Sequence, residues 1–138
     1  MAGELIFEFY AWVISPATFG FALQPTNLVV AIIAKLTGST LPHAWGFALH
    51  FLVGSLGFGL FVYIIRTVLR LQVALTGLLA GLALWFFAQG VLAPFIGRSF
   101  MMDFGPYTQS SFVGHVGMTM VMAFALDFLI RRFQPPTA

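Results

Sequence analysis

The chain has 138 residues, 60% of them hydrophobic and 17% aromatic, and only 7% are charged. An ordinary soluble domain carries roughly 25% charged residues, so this chain cannot cover a water-facing surface and a soluble globular protein is excluded. Six Lys and Arg against four Asp and Glu give a net charge of +2, but the bases lie scattered at segment ends, which argues against a nucleic-acid partner. With no cysteine, disulfides, iron–sulfur clusters, thiolate zinc sites and c-type haem attachment are ruled out.

A membrane-spanning helix needs about 20 mostly apolar residues. Four such segments, with little sequence between them, predict one all-α integral membrane domain over residues 1–138, a bundle of four transmembrane helices with a short extra helix after the first. The opening "MAGELIFEFY" has two acids and no base before its apolar run, so it reads as part of the mature protein and not as a cleaved leader. Segment one covers about 5–23, kinked by Pro16 and stopped by Pro25. "PTNLVVAIIAKLTGSTLPH" then predicts a helix over about 27–37, capped by Thr26 or Asn27 and ended by Gly38. At about 15 Å it is too short for a core of about 30 Å, which makes it interfacial or re-entrant.

Segment two covers about 43–70, starting after Pro42. Segment three covers about 73–96 and breaks at "PFIG". After the loop "RSFMMDFGPYTQSS", Ser110 or Ser111 is the expected cap of segment four, about 111–133, and "QPPTA" is expected to be a mobile tail. Arg66, Arg70, Arg131 and Arg132 fall on one side and serve as topology anchors. The positive-inside rule makes that side cytoplasmic, which with four crossings puts both termini in the cytoplasm and Lys35, Arg98 and Asp103 outside.

Segments two and four echo one another. "HFLVGSLGFGLFVYIIR" and "HVGMTMVMAFALDFLIR" each begin with a histidine and end with an arginine, and His50 and His115 lie 65 positions apart, as do Arg66 and Arg131. Phe21 and Gln24 match Phe86 and Gln89 at the same offset. A parallel duplication of a two-helix unit accounts for this, and so does the compositional bias of apolar helices. Sixteen residues of helix rise about 24 Å, which sets each histidine just inside one interface and each arginine at the other.

Polar side chains inside a membrane are costly and usually find partners within the bundle. His43 and His50 are about 10 Å apart along one helix and cannot share an ion. His50 and His115 share a depth on two helices and are the candidate cofactor-binding pair, for haem b or a quinone. Their alternative role is hydrogen bonding to a neighbouring helix. Gly46, Gly54, Gly57, Gly77, Gly81, Gly114 and Gly117 are expected to let helices approach closely. Asp127 stands one turn before Arg131, and Glu4 and Glu8, at the cytoplasmic level, are expected to pair with Arg66 or Arg132. No catalytic or metal-ligating set is recognised: there is no His-Glu-x-x-His, no phosphate-binding glycine loop, no Gly-x-Ser-x-Gly and no carboxylate pair in an apolar helix.

"QPTNLVVAIIAKLTG" with "HFLVG", then "GLLAGLALWFFAQGVLAPFIG" with "GHVG", resembles a group of uncharacterised small four-helix bacterial inner-membrane proteins. The resemblance runs from helix one through His115, most clearly at Pro25 with Asn27, His50 with Gly54, and Pro94 with Gly97 ahead of His115. Thr119 departs from it, standing where a glycine is expected. The resemblance implies a bacterial inner membrane and a four-helix fold, and no activity.

Glycine seams and aromatic faces, with little polar chemistry, lead to the expectation of a non-catalytic accessory subunit. It would pack against a larger respiratory or photosynthetic membrane complex, in contact with lipid and other subunits and without a cofactor of its own. The alternatives are a small haem- or quinone-binding protein using His50 and His115, with pigment as a further ligand, and a small oligomeric transporter or channel.

Overall fold

Each long helix turns its small and polar residues inward and its large apolar ones outward, the arrangement expected where lipid is the solvent. The computed structural model describes residues 1–133, which form α1 (residues 2–19), α2 (Pro25–Thr37), α3 (His43–Leu69), α4 (Val73–Phe95) and α5 (Pro106–Phe133), with no strand among them. The expected mobile tail "QPPTA" lies outside the described residues. Helices α3, α4 and α5 are long and apolar enough to cross a membrane, whereas α2 is a shorter apolar helix.

The central element is α5. Its buried stripe of Ser111, Gly114, His115, Met118, Thr119 and Met122 recurs at helical spacing and packs against α1, α3 and most extensively α4. The α4–α5 seam is set by Gly77 and Gly81. A Cβ on Gly81 would come within 2.6 Å of the Val116 Cα, and one on Gly77 within 2.8 Å of the Met120 Cα. Thr119 donates its hydroxyl to the Gly77 carbonyl at 2.8 Å, so this departure from the resembled family contributes a cross-helix hydrogen bond. Gly46 faces Val30 and Thr26 of α2, and Gly114 faces Phe7 and Tyr10 of α1. Gly57 meets only Val53 of its own helix, and Gly117 meets nothing within 4 Å.

Three helices contain a wide π-turn, at Tyr10–Ile14, Val53–Phe58 and Phe87–Leu92. Two of these accommodate a proline. A helical proline clashes with the carbonyl four residues earlier, and for Pro16 and Pro94 those carbonyls, on Trp12 and Gly90, lie inside the wide turns. The third contains Gly54 and Gly57 in place of a nearby proline.

Segment one ends sooner than its hydropathy suggested. Gly20, at φ 81°, closes α1 in the left-handed conformation, and the chain folds back so that the Leu23 amide donates to the Ala11 carbonyl at 3.2 Å. Segment four begins earlier, at Pro106, which suits a first helical turn. Ser110 and Ser111 are therefore buried inside the helix and do not cap it. Before it, Met101 to Phe104 form a left-handed turn with φ between 50° and 55°. That conformation costs about 1–2 kcal/mol per residue, and it is pinned by burial of Met101 and by the Thr108 hydroxyl donating to the Met101 carbonyl.

The two ends of the bundle differ. At one, Arg66 and Arg131 both bind Asp127, at 3.1 and 2.6 Å. Arg66 also donates to the Leu71 carbonyl, and Arg70 ends α3 in a left-handed conformation. At the other, α2 bridges α3 and α4: His43 and Asn27 side chains meet at 2.7 Å, while Lys35 donates to the Phe95 carbonyl and lies over its ring.

Gly81→Ala should therefore lower stability by about 1–3 kcal/mol through overpacking, whereas Gly117→Ala should be neutral or slightly stabilising, by up to about 1 kcal/mol. Thermal unfolding of both variants in detergent micelles checks this, and equal midpoints would contradict the α4–α5 seam.

Candidate functional site

The depth of α1 decides what its acids meet. A Cβ on Gly3 would overlap the Met122 side chain and come within 2.8 Å of the Met118 carbonyl. Phe7 lies against Gly114, and the Tyr10 and Ser15 hydroxyls reach Ser110 at 3.0 and 2.8 Å. This packing holds the start of α1 beside the middle of α5. Glu4 and Glu8 consequently do not meet Arg66 or Arg132: Glu4 sits against Gly54 of α3, about 18 Å of helix from Arg66. The buried face of α1 carries Gly3, Glu4, Phe7, Tyr10, Ala11 and Ser15, while Leu5, Ile6, Phe9, Trp12 and Val13 are exposed.

Glu4 is fully buried. Its Oε1 lies 3.0 Å from His50 Nδ1, and Glu8 Oε1 approaches the same nitrogen at 3.6 Å. Neither approach has hydrogen-bond geometry, so both Glu4 oxygens, Glu8 Oε1 and His50 Nδ1 are buried without a hydrogen-bond partner. The second Glu8 oxygen accepts from the Trp12 indole at 2.9 Å. The space that Glu4 occupies exists because residue 54 is glycine, since a Cβ there would overlap the carboxylate. One ligand atom from each of Glu4, Glu8 and His50 lies within 4.8 Å of the other two.

Beyond His50 lies a cavity of about 480 Å³, within the usual range for a small-molecule site. Its walls are apolar, with Leu28, Val29, Ile32 and Ile33 of α2 on one side and Val53, Leu84, Phe87 and Leu92 on the other. Exposed Leu36, Val53 and Phe87 at its edge open it toward the lipid-facing surface. The polar lining is His50, Gln89, Ser111 and His115, with Arg98 and Tyr107 also present. The π-turns of α3 and α4 both contribute, and the one in α4 contains Gln89.

The two histidines differ in setting. His115 Nδ1 lies 2.7 Å from the Ser111 carbonyl. A carbonyl only accepts, so Nδ1 carries the hydrogen and a neutral ring presents Nε2 as an acceptor. Gln89 Nε2 donates to the Ser111 hydroxyl at 3.0 Å, leaving Gln89 Oε1 without a partner. Phe7 packs against both imidazoles, with ring centroids 5.9 Å from His50 and 5.5 Å from His115. Among the described residues no protein group bonds the Nε2 of either ring.

The structure thus brings His50 and His115 to one cavity. Glu4, Glu8, Gln89 and Ser111 complete the polar set, and the two acids are not at the helix end where their position in the sequence places them. Their spacing was the available signal: two acids four residues apart in "ELIFEF" form a carboxylate pair on one face of an apolar helix, contrary to the expectation that no such pair exists. No protein-family model matches the chain, and neither the curated proteins nor the solved structures compared with it give a match.

Glu4 and His50 form a buried ion pair without hydrogen-bond geometry, and removing one charge of such a pair leaves the other uncompensated. In buffer containing a chelator, Glu4→Gln should lower stability by about 1–3 kcal/mol, read as a decreased thermal midpoint. An unchanged or higher midpoint would show that the pair contributes nothing to the fold.

Proposed function

We propose that this chain is a membrane protein that binds a quinol-class molecule, a hydroxylated ring with an apolar tail, in the cavity beneath α2. The observation that carries this reading is an apolar cavity lined by two imidazoles whose Nε2 atoms have no protein partner. A ring hydroxyl donating to His115 Nε2 satisfies that acceptor, and the tail leaves past Leu36 and Phe87 into lipid. A few convergent polar groups in an apolar cavity are the usual composition of a small-molecule site. The exposed phenylalanines that suggested an accessory subunit are also what lipid would cover, and a subunit that only packs has no need of a polar-lined cavity.

In this reading α1 forms a fourth, partial crossing and α2 lies at the interface. The Arg66, Arg70, Arg131 and Arg132 end faces the cytoplasm of a bacterial inner membrane by the positive-inside rule, and the cavity lies toward the opposite side.

The test is titration of the full chain in nanodiscs with a short-chain quinone and with its quinol. We expect the quinol to bind more tightly, and His115→Ala to weaken it about tenfold, the value of one hydrogen bond of about 1.4 kcal/mol. Saturable binding that His115→Ala leaves unchanged, or no binding of either form, would refute the assignment.

A further inference from the structure

We infer that Glu4, Glu8 and His50 form a binding site for one divalent transition-metal ion, set in the interior of the bundle behind the cavity. Buried charges in proteins are paired or coordinate metals, and Glu4 is completely buried with both oxygens lacking a hydrogen-bond partner. His50 Nδ1 and Glu8 Oε1 are in the same condition beside it. His50 forms ion pairs with Glu4 and Glu8 at 3.0 and 3.6 Å, but one imidazole faces two carboxylates and none of these atoms gains a hydrogen bond.

The spacing agrees with that chemistry. Nitrogen and oxygen ligands about 2.0–2.2 Å from a tetrahedral ion lie roughly 3.3–3.6 Å from one another. Side-chain rotation closes the remaining gap among three atoms already within 4.8 Å. One imidazole with two carboxylates suits a borderline ion such as Zn²⁺, Mn²⁺ or Fe²⁺ better than a hard ion bound by oxygen alone. A dipositive ion also balances two carboxylates that, among the described residues, pair with His50 and with no lysine or arginine.

Two further features support the cluster as a built site. The wide turn of α3 with glycine at position 54 makes room for the Glu4 carboxylate. The Trp12 indole holds the outer oxygen of Glu8, which leaves the inner one for the ion, as outer partners orient ligating carboxylates elsewhere. This inference does not rest on the quinol reading, since metal binding needs neither His115 nor an added ligand.

The probe is Co²⁺, whose visible ligand-field bands report coordination by protein. Full-length protein in detergent is stripped with a chelator, titrated with Co²⁺ and then challenged with Zn²⁺. We expect one Co²⁺ per chain, displaced by Zn²⁺, with affinity reduced at least tenfold in Glu8→Gln and in His50→Ala and unchanged in His115→Ala. His50→Cys guards against loss of fold in these variants: it should keep Co²⁺ bound and add a sulfur-to-metal charge-transfer band. Absence of protein-bound Co²⁺ bands in the parent chain, equal affinity in Glu8→Gln and His50→Ala, or loss of binding in His115→Ala would overturn the proposal.

Discussion

The Glu4 carboxylate lies in an apolar bundle with no hydrogen bond to either oxygen, and much of the arrangement around it follows from accommodating that group. Leaving a buried polar group without a hydrogen bond costs about 1–3 kcal/mol, and more when it is charged, which the ion pair with His50 at 3.0 Å offsets in part. The protein nonetheless provides for it, with glycine at position 54, His50 directed at it and Glu8 one turn away. The position of α1 is part of the same provision. Had α1 been set a few turns deeper, the acids would approach Arg66 and Asp127 and become ordinary helix-end charges. The contacts of Gly3 with Met118 and Met122 and of Phe7 with Gly114 fix it at the depth of His50 instead.

Wide turns link this cluster to the cavity. A π-turn offsets the side chains beyond it by a fraction of a turn and often marks a functional site. In α4 it carries Gln89 to Ser111, and in α3 it sets Gly54 beside Glu4 and Val53 at the edge of the cavity. Proline explains the turn in α4, where Pro94 needs the Gly90 carbonyl out of its way. No proline adjoins the turn in α3, where glycines relieve the crowding. His50 belongs to both regions, with Nδ1 among the carboxylates and its ring lining the cavity.

Much of the fold was legible because hydropathy and helix breakers act locally. Pro42, Gly38 and the runs of Leu, Phe and Val located α2, α3 and α4 to within a residue or two. The end of α1 was not legible, since Leu23 is as apolar as its neighbours and its return to the Ala11 carbonyl depends on a wide turn that hydropathy does not register. His50 and His115 could be singled out by matching depth along two helices. Glu4 and Glu8 are not legible that way: depth counted from the start of the chain places them at the arginine end, whereas packing against α5 sets Glu4 beside Gly54, about 18 Å of helix from Arg66. Gln89 stands out as a polar residue in an apolar run, but its partner Ser111 reads as a helix cap from sequence, whereas α5 begins at Pro106 and Ser111 lies inside it.

The most direct test is therefore of the depth of α1, and the absence of native cysteine makes it straightforward. Ser15→Cys combined with Ser110→Cys should form an intramolecular disulfide under mild oxidation in membranes, because the two hydroxyl oxygens they replace lie 2.8 Å apart. Ser15→Cys combined with Met122→Cys, about three turns nearer the arginine end, should not. Efficient cross-linking of the second pair and none of the first would mean that the acids lie among the arginines, and the buried carboxylate on which this account depends would not exist.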